Sequence, residues 1–285
     1  MPHRLVCVAI LLVWAGAAGA LVRRDVLPDW LVGPPPDLRA ITRAERDDGP
    51  TTWSIQVADD PTRPDDLRAI GRVRTDAARQ PDGFVRMNSL ASIETAGLSR
   101  GMPLAGQGGE VLEVASTSDI DPNGNLFSFH VAVRPAGAGR HEDLLTLDGK
   151  LKENTVAVRV RCPLMPLLNV KQSFPYRARG IVQNSLGPAG RMPGLHIGQR
   201  WESQVISPLT GQVEAGKVEV VGRRNIYWDG APVDALVVQA RLSGLKARTW
   251  VRPDGLVLRQ EVPTPLGHLY LERVAADKDR TGSGR

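Results

Sequence analysis

The sequence predicts an all-β fold, a long and curved antiparallel sheet that follows an N-terminal membrane segment. From Thr51 onward, short segments alternate apolar and polar residues with the period of two that a half-buried strand requires. Gly, Pro and Asp turns separate these segments at hairpin spacing. No long amphipathic stretch with helical periodicity occurs, so we do not expect parallel strands joined by helical crossovers.

The N-terminal apolar run, Leu5–Val22, has 18 residues, close to the roughly 20 that cross a hydrocarbon core. It predicts an anchor that is retained in the membrane. The small residues at Ala18 and Ala20 also fit a signal-peptidase site, and cleavage after Ala20 would give a secreted protein. Both alternatives place the body outside the cytoplasm, in the periplasm or at the cell surface. Arg23 and Arg24 leave a reversed orientation open.

Composition predicts the domain boundaries. Residues 1–24 form the membrane or signal segment, and residues 25–50 form a stalk rich in Pro, Asp and Arg. Residues 51–274 form the curved β-domain, and residues 275–285 form a polar, disordered tail. The β-domain can consist of two halves joined by residues 163–193, where closely spaced Pro and Gly interrupt the strand pattern.

The first half contains the clearest predicted hairpin, in which the turn Asp121–Gly124 leads into a strand at Leu126–Arg134. Simple alternation places Phe127, Phe129 and Val131 on one face of that strand. The predicted strands of this half are 53–57, 69–75, 84–95, 110–116, 126–134, 144–147 and 155–161.

The second half begins after residues 163–193, which we predict to be a long crossover or an apolar lip because Leu164 and Leu167 lie between prolines. The alternative is that these leucines form a plug that closes one open end of the sheet. Trp250 shares its predicted strand face with arginines, and we expect that face to be partly exposed. The predicted strands of this half are 201–206, 216–221, 233–242, 245–251, 256–261 and 268–274.

Four segments resemble a loose group of mostly uncharacterised bacterial envelope proteins. They are Asp119–Phe129, Leu147–Leu151, Leu195–Trp201 and Trp250–Glu261. The resemblance extends over about residues 53–274 and implies an exported or membrane-anchored protein with a half-open sheet, similar to the lipoprotein carriers of the periplasm. Some of those proteins carry transglutaminase-like domains, but no catalytic Cys-His-Asp set of that type matches this sequence.

Charge and composition argue against a nucleic-acid-binding protein. The formal net charge is +5, yet the arginines are scattered and aromatic residues make up only 5% of the chain. A weak attraction to anionic lipid headgroups explains the positive charge more simply than nucleic-acid binding does. An ordinary solvated surface is the simplest explanation.

We predict no catalytic residue, cofactor or metal ion. Cys162 is the one cysteine of the body, so no internal disulfide is expected there, and its place on an apolar strand face predicts a core thiol. Neither a G-x-S-x-G motif nor a phosphate-binding glycine loop occurs. The histidines of the body lack paired metal-ligand spacing. They are His130, His141, His196 and His268.

The segment Asp119–Gly124 matches the first half of a calcium loop, with oxygen ligands at alternate positions. His130 stands where the bidentate glutamate of such a loop would be, and no helices are predicted on either side. A tight Asn-Gly hairpin explains the same residues, and we therefore expect a turn at this position.

A long antiparallel sheet with one apolar face must curl, close on itself or admit an apolar guest. We therefore predict that the β-domain binds a lipid-like or acylated ligand. The candidate ligand-binding residues are Phe127, Phe129, Val131, Val156, Val158, Val237 and Leu258 on the concave face, with Leu164 and Leu167 at the lip.

The alternative is a non-catalytic structural or interaction module of the cell envelope that binds a partner protein. Ligand binding predicts an empty apolar cavity, whereas the interaction module predicts a filled interior and an exposed edge strand or patch. A hydrolase would bring one of the histidines to an acidic residue in a cleft.

Overall fold

The computed structural model describes residues 36–58, 67–94, 111–137, 143–175, 182–183, 188–206, 213–242, 245–264 and 267–275. The predicted leader, Leu5–Val22, lies outside these residues, as do the first part of the predicted stalk and nearly all of the predicted tail. Among the described residues, no helix has the length and apolar character needed to cross a membrane.

The described chain contains one α-helix, α1 (Leu38–Asp48), and fifteen strands. The first eight are β1 (Thr51–Ala58), β2 (Leu67–Arg79), β3 (Val85–Glu94), β4 (Val111–Ile120), β5 (Leu126–Pro135), β6 (Leu145–Lys152), β7 (Thr155–Arg161) and β8 (Val170–Pro175). The others are β9 (Val182–Gln183), β10 (Arg200–Ile206), β11 (Val213–Trp228), β12 (Ala231–Leu242), β13 (Leu245–Val251), β14 (Val257–Thr264) and β15 (Gly267–Arg273).

All fifteen described strands belong to one open sheet, in which β1 pairs with β15 and the two halves run outward to edge strands β8 and β9. Every pair is antiparallel except β9–β10. Laid flat, such a sheet would be about 67 Å wide, but the chain from Pro175 to Val182 can span only about 25 Å. The sheet is therefore strongly curved, and its two edges approach each other. The all-β prediction is confirmed.

β-Bulges interrupt the regular pairing at four positions within the described sheet. One lies between Val220 and Gly222, where Gly222 adopts a φ of 157°. A bulge bends its strand and reverses the alternation of side chains beyond it. The other three lie at Ile55/Gln56, Asp119/Ile120 and Trp250/Val251.

The inward face carries two hydrophobic clusters, which share contacts with Val114. The larger cluster surrounds the fully buried Trp53 and joins β1–β3 to β10–β14. The second cluster belongs to β5–β7, where paired residues on neighbouring strands point to the same side. Its buried members are Leu126, Val131, Leu147, Val156, Val158 and Val160.

A third cluster lies on the opposite face of β11–β14, around Trp250. Trp250 pairs with Val237, which alternates with Leu236 and Val238 of the larger inward cluster. The indole Nε1 of Trp228 donates a hydrogen bond to the Arg273 carbonyl at 2.8 Å, which ties the tip of the β11–β12 hairpin to β15. Trp250 itself is buried, whereas Lys246 and Arg248 on the same strand face are exposed, so the predicted partial exposure of that face is confirmed.

Helix α1 replaces the last part of the predicted stalk. The Asp37 side chain accepts a hydrogen bond from the Arg39 backbone N–H and caps the helix, and Ile41 is buried. The Arg39 side chain donates to Asn123 in the β4–β5 turn, while Asp48 pairs with Arg191 before β10. Residues 38–48 therefore pack against the β-domain and do not form an extended linker.

Residues 163–193 are more regular than the predicted crossover, because they contain β8, β9 and a short 3-10 helix at Pro166–Leu168. Strand β11 is also longer than the predicted segment 216–221. Its last residues continue beyond the Gly222 bulge, where the changed alternation hides the strand pattern.

Candidate functional site

Four of the predicted ligand-binding residues lie together. Phe129 and Val131 of β5 share the inward face with Val156 and Val158 of β7. The three valines are almost fully buried, and Phe129 packs against their cluster. Their side chains fill the space between one another, so this described part of the inward face is a packed core.

Phe127 does not share that face, and the prediction that it does is wrong. It is the extra residue of the bulge at Asp119/Ile120, which points its ring to the polar side of the sheet. There the Phe127 ring meets Phe84 edge-on, with ring centroids 5.1 Å apart, and the Nζ atom of Lys150 lies 5.6 Å from its centroid.

Val237 and Leu258 are also separated from the other candidates. They belong to the third cluster, with Trp250, on the face opposite the main core. The predicted concave set is thus divided between two faces. Leu258 is the extra residue of the bulge in β14, and Val237 belongs to β12, which is apolar on both faces.

The lip consists of Leu164, Met165 and Leu167, in the connection between β7 and β8. Leu164 is 63% exposed and Leu167 is 97% exposed. Backbone hydrogen bonds fix the turn, because the Met165 N–H donates to the Cys162 carbonyl and the Cys162 N–H donates to Asn169 Oδ1 at 2.7 Å. Pro163 before Leu164 and Pro166 before Leu167 restrict it further. The structure therefore holds apolar side chains out in solvent.

A groove with both polar and apolar lining lies on the outer face of the sheet, over strands β4–β8, with a volume of about 730 Å³. Small side chains form part of its floor, at Ser128, Ala157 and Ser173, in a row across the sheet that also contains Lys150 of β6. The side chains that line it from this face are those of Thr117, Asp119, Phe127, Ser128, His130, Asp148, Lys150, Ala157, Arg159, Lys171 and Ser173.

Both carboxylates of the groove already have partners. Asp119 accepts hydrogen bonds from Arg86 at 2.8 Å and from the Ser128 hydroxyl at 2.9 Å. The Arg86 hydrogen bond holds the pKa of the Asp119 carboxyl below its ordinary value. Asp148 lies 2.7 Å from Nδ1 of His130 and 3.3 Å from the Arg161 guanidinium.

The cationic side chains on the other side of the groove have fewer carboxylate partners. Arg159 of β7 stands directly opposite both Asp148 of β6 and Lys171 of β8. Within the described part of the chain, neither side chain forms an ion pair with a carboxylate. Lys150 contacts the Phe127 ring on its own side. The groove therefore presents three cations to a bound group.

The His130–Asp148 pair is the kind of contact that the hydrolase alternative expects, and sequence reasoning could not name Asp148 because the two residues lie on neighbouring strands 18 residues apart. A histidine base needs a nucleophile within hydrogen-bond reach. Ser128 instead donates to Asp119, and Thr117 donates to Asn88. The groove, as described, therefore does not assemble a nucleophile with its base.

The other predicted histidines have separate surroundings. His268 lies 2.8 Å from Glu261 on β14, and the His196 backbone N–H donates to Gln199. His141 lies outside the described residues. Across the described chain, no group of three His, Cys, Asp or Glu side chains is placed to hold a metal ion.

A buried charge cluster joins α1 to the sheet. Oε1 of Glu45 accepts a hydrogen bond from the Gly190 N–H at 2.8 Å, while Oε2 is buried without a hydrogen-bond partner among the described residues. Burial raises the pKa of Glu45 to about 7. Arg273 lies 5.8 Å from the Trp53 ring and donates to the Gly190 carbonyl. This cluster anchors the helix.

No protein-family model matches the sequence, and no curated protein matches it either. The chain is similar to the crystal structure of a β-barrel-like protein of the domain of unknown function DUF1849 from Brucella abortus, at 10% identity and a TM-score of 0.49, covering 79% of this chain and 94% of that one. It is also similar to a DUF1089 family protein from Pseudomonas aeruginosa, at 13% identity and a TM-score of 0.35, covering 65% of this chain and 87% of that one. Neither likeness shows a link to transglutaminase-like domains.

Proposed function

We propose that the protein is a non-catalytic binding module of the cell envelope that engages acyl chains of lipids or lipidated molecules through the lip. The exposure of Leu167 and Leu164 on a hydrogen-bonded turn carries the proposal. Moving a leucine side chain from water into an apolar phase is favourable by about 1.5–3 kcal/mol. The chain holds these two side chains where they can make that transfer together.

The lip is a better binding place for an acyl chain than the inward face of the sheet. Val131, Val156 and Val158 are enclosed by their own neighbours, so admitting a guest among them would require separating packed side chains. The lip needs no such rearrangement, because Leu167 is already in solvent.

Cations near the lip favour a lipid surface as the source of the acyl chains. Arg159 and Arg161 lie on β7 just before the lip, and Lys171 lies on β8 just after it. An apolar tip bordered by cations is typical of segments that enter an anionic membrane interface. We further propose that the predicted leader, Leu5–Val22, keeps the module at such a surface outside the cytoplasm.

The test places an environment-sensitive fluorophore at Leu167→Cys in the full chain, with Cys7→Ser, in vesicles whose lipids carry a nitroxide quencher on the acyl chain. Cys162 is buried and reacts slowly. The matched control is Tyr227→Cys, because Tyr227 is 68% exposed in the other half of the sheet. We expect a blue shift and quenching at position 167 only. An equal response at both positions, or none at 167, would contradict the proposal.

A protein partner is the second candidate, favoured by the edge position of β8. Among the described strands, β8 pairs only with β7, and its side chains are mostly exposed. A partner's strand could extend the sheet along this edge. That function predicts slower amide hydrogen exchange in β8 when detergent-solubilised envelope is added, and no slowing when lipid vesicles alone are added.

A further inference from the structure

We infer that the groove is a binding site for an organic anion that carries a phosphate group. The inference stands independently of the lip, because it depends on side chains that point to the polar face of β4–β8. Small-molecule sites in proteins commonly have volumes of about 300–1,000 Å³. The groove has about 730 Å³, which leaves room for an organic group attached to the phosphate.

The register of the sheet explains the shape of the groove. Ser128, Lys150, Ala157 and Ser173 lie in one row across β5–β8, and all of them except Lys150 stay close to the backbone. The next row carries the long side chains of Arg159 and Lys171. Small residues beside long ones therefore create a depression with a cationic wall.

The charged side chains of the groove favour an anionic ligand over a cationic one. Asp119 is neutralised by Arg86, and Asp148 is shared by His130 and Arg161. An incoming cation would meet carboxylates that are already occupied. An incoming anion would meet cationic groups that, within the described residues, lack such partners.

Arg159 and Lys171 form the strongest element of the site. Like charges directly opposite each other on neighbouring strands are destabilising, and Asp148, which faces Arg159 from β6, already pairs with His130 and Arg161. A phosphate bound between them would relieve that repulsion, with the planar Arg159 guanidinium donating two hydrogen bonds and the Lys171 ammonium acting as a compact charge.

The Phe84–Phe127 pair indicates where the organic part of the ligand would lie. Phe127 projects from β5, whereas Arg159 and Lys171 belong to β7 and β8, about 10–14 Å away across the sheet. The Phe127 ring offers an apolar wall beside Lys150. The ligand therefore carries its phosphate at one side of the groove and a polar or weakly apolar group at the other.

A phospholipid headgroup and a soluble phosphate ester both have this chemistry, so the experiment uses a probe for each. Isothermal titration of the full chain in an uncharged detergent compares glycerol 1-phosphate, monomeric dihexanoyl phosphatidylglycerol and, as the control without phosphate, glycerol. The groove variant is Arg159→Gln with Lys171→Gln.

A matched control removes the same charge elsewhere. Lys217, Arg241 and Lys246 form an exposed cationic row across β11–β13. The control variant is Lys217→Gln with Lys246→Gln, and thermal unfolding checks that both variants remain folded. We expect the groove variant to raise the Kd of at least one phosphate probe by about tenfold or more, which corresponds to loss of a charge-assisted contact, and the control variant to leave it unchanged.

The two probes identify the source of the phosphate. Tighter groove-dependent binding of glycerol 1-phosphate supports a soluble ester, and tighter groove-dependent binding of the lipid supports a membrane headgroup. Equal weakening by both variants, or no binding of either phosphate probe, would overturn the inference. Leu164→Ser with Leu167→Ser should leave glycerol 1-phosphate binding unchanged, so that failure of the lip proposal is distinguished from failure of the groove.

Discussion

The ring of Phe129 on β5 lies across Gly149 on β6, and the two residues stand directly opposite each other in the sheet. A Cβ atom added to Gly149 would lie 1.9 Å from Cε1 of Phe129. The aromatic ring thus occupies the space that a side chain on β6 would need. This contact covers the strand backbone beneath the second inward cluster.

We predict that Gly149→Ala destabilises the fold by about 2 kcal/mol, because the Phe129 ring must leave its position. Urea unfolding of the wild type and the variant measures the change. Phe129→Ala combined with Gly149→Ala completes a double-mutant cycle, in which the second substitution should cost much less once the ring is gone. Fully additive effects would show that the two residues do not compete for space.

The buried Glu45 predicts a stability that falls as pH rises. The folded pKa is raised to about 7 from an ordinary value of 4.5. Between these values the unfolded chain releases the proton while the folded chain keeps it, so the free energy of unfolding decreases with pH by at most about 3 kcal/mol. Below pH 4.5 and above pH 7 this contribution is constant.

Glu45→Gln should flatten this dependence, since an amide does not ionise. Urea unfolding at pH 5 and pH 8 measures it, with Glu94→Gln as a control because Glu94 is exposed. A variant that keeps the wild-type difference between the two pH values would exclude Glu45 as its origin.

Asp48 is predicted to contribute more to stability than its neighbour Asp47. The Asp48 side chain is 20% exposed and makes two hydrogen bonds to Arg191, whereas Asp47 is 60% exposed and pairs with Arg46. We expect Asp48→Asn to cost about 1–2 kcal/mol and Asp47→Asn less than about 0.5 kcal/mol. Chemical unfolding compares them, and equal losses would mean that the Arg191 contact does not hold the helix.

The lip residues should be dispensable for folding. Leu167→Ser changes a side chain in solvent, and we expect stability to change by less than about 0.5 kcal/mol. Val160→Ala, in the buried cluster close by, should cost about 2 kcal/mol. Thermal unfolding measures both. A strongly destabilised Leu167→Ser protein would indicate that the lip is part of the core.

Local signals allowed the hairpins to be predicted from the sequence. At the β4–β5 turn, Asp121 Oδ1 accepts the backbone N–H groups of Asn123 and Asn125, and Gly124 has a φ of 85°. These preferences act within a few residues and need no tertiary context. The same turn explains the calcium-like spacing, since the carboxylate of Asp121 is occupied by backbone donors.

The features that were missed depend on contacts between distant residues. Helix α1 is short, and Glu45 and Asp48 bind residues more than 140 positions away. The bulge at Phe127 depends on how β4 pairs with β5. The sequence pattern alone continues the regular alternation and places the ring on the wrong face.

The groove could be predicted only once the register was known. His130, Asp148, Arg159 and Lys171 are separated in the sequence but form a continuous row across β5–β8. A hairpin prediction pairs neighbouring strands without fixing their exact alignment, and a shift by one residue would send each side chain to the other face.

Photo-crosslinking tests contact between the lip and acyl chains most directly. The full chain in vesicles containing a phospholipid with a diazirine on its acyl chain is irradiated and digested with trypsin. The lip falls in the peptide Cys162–Lys171, and exposed Tyr227 falls in the control peptide Asn225–Arg241. We predict lipid adducts on Cys162–Lys171, loss of these adducts in the Leu164→Ser, Leu167→Ser protein, and none on Asn225–Arg241. Adducts distributed equally over both peptides, or absent from Cys162–Lys171, would contradict the proposed function.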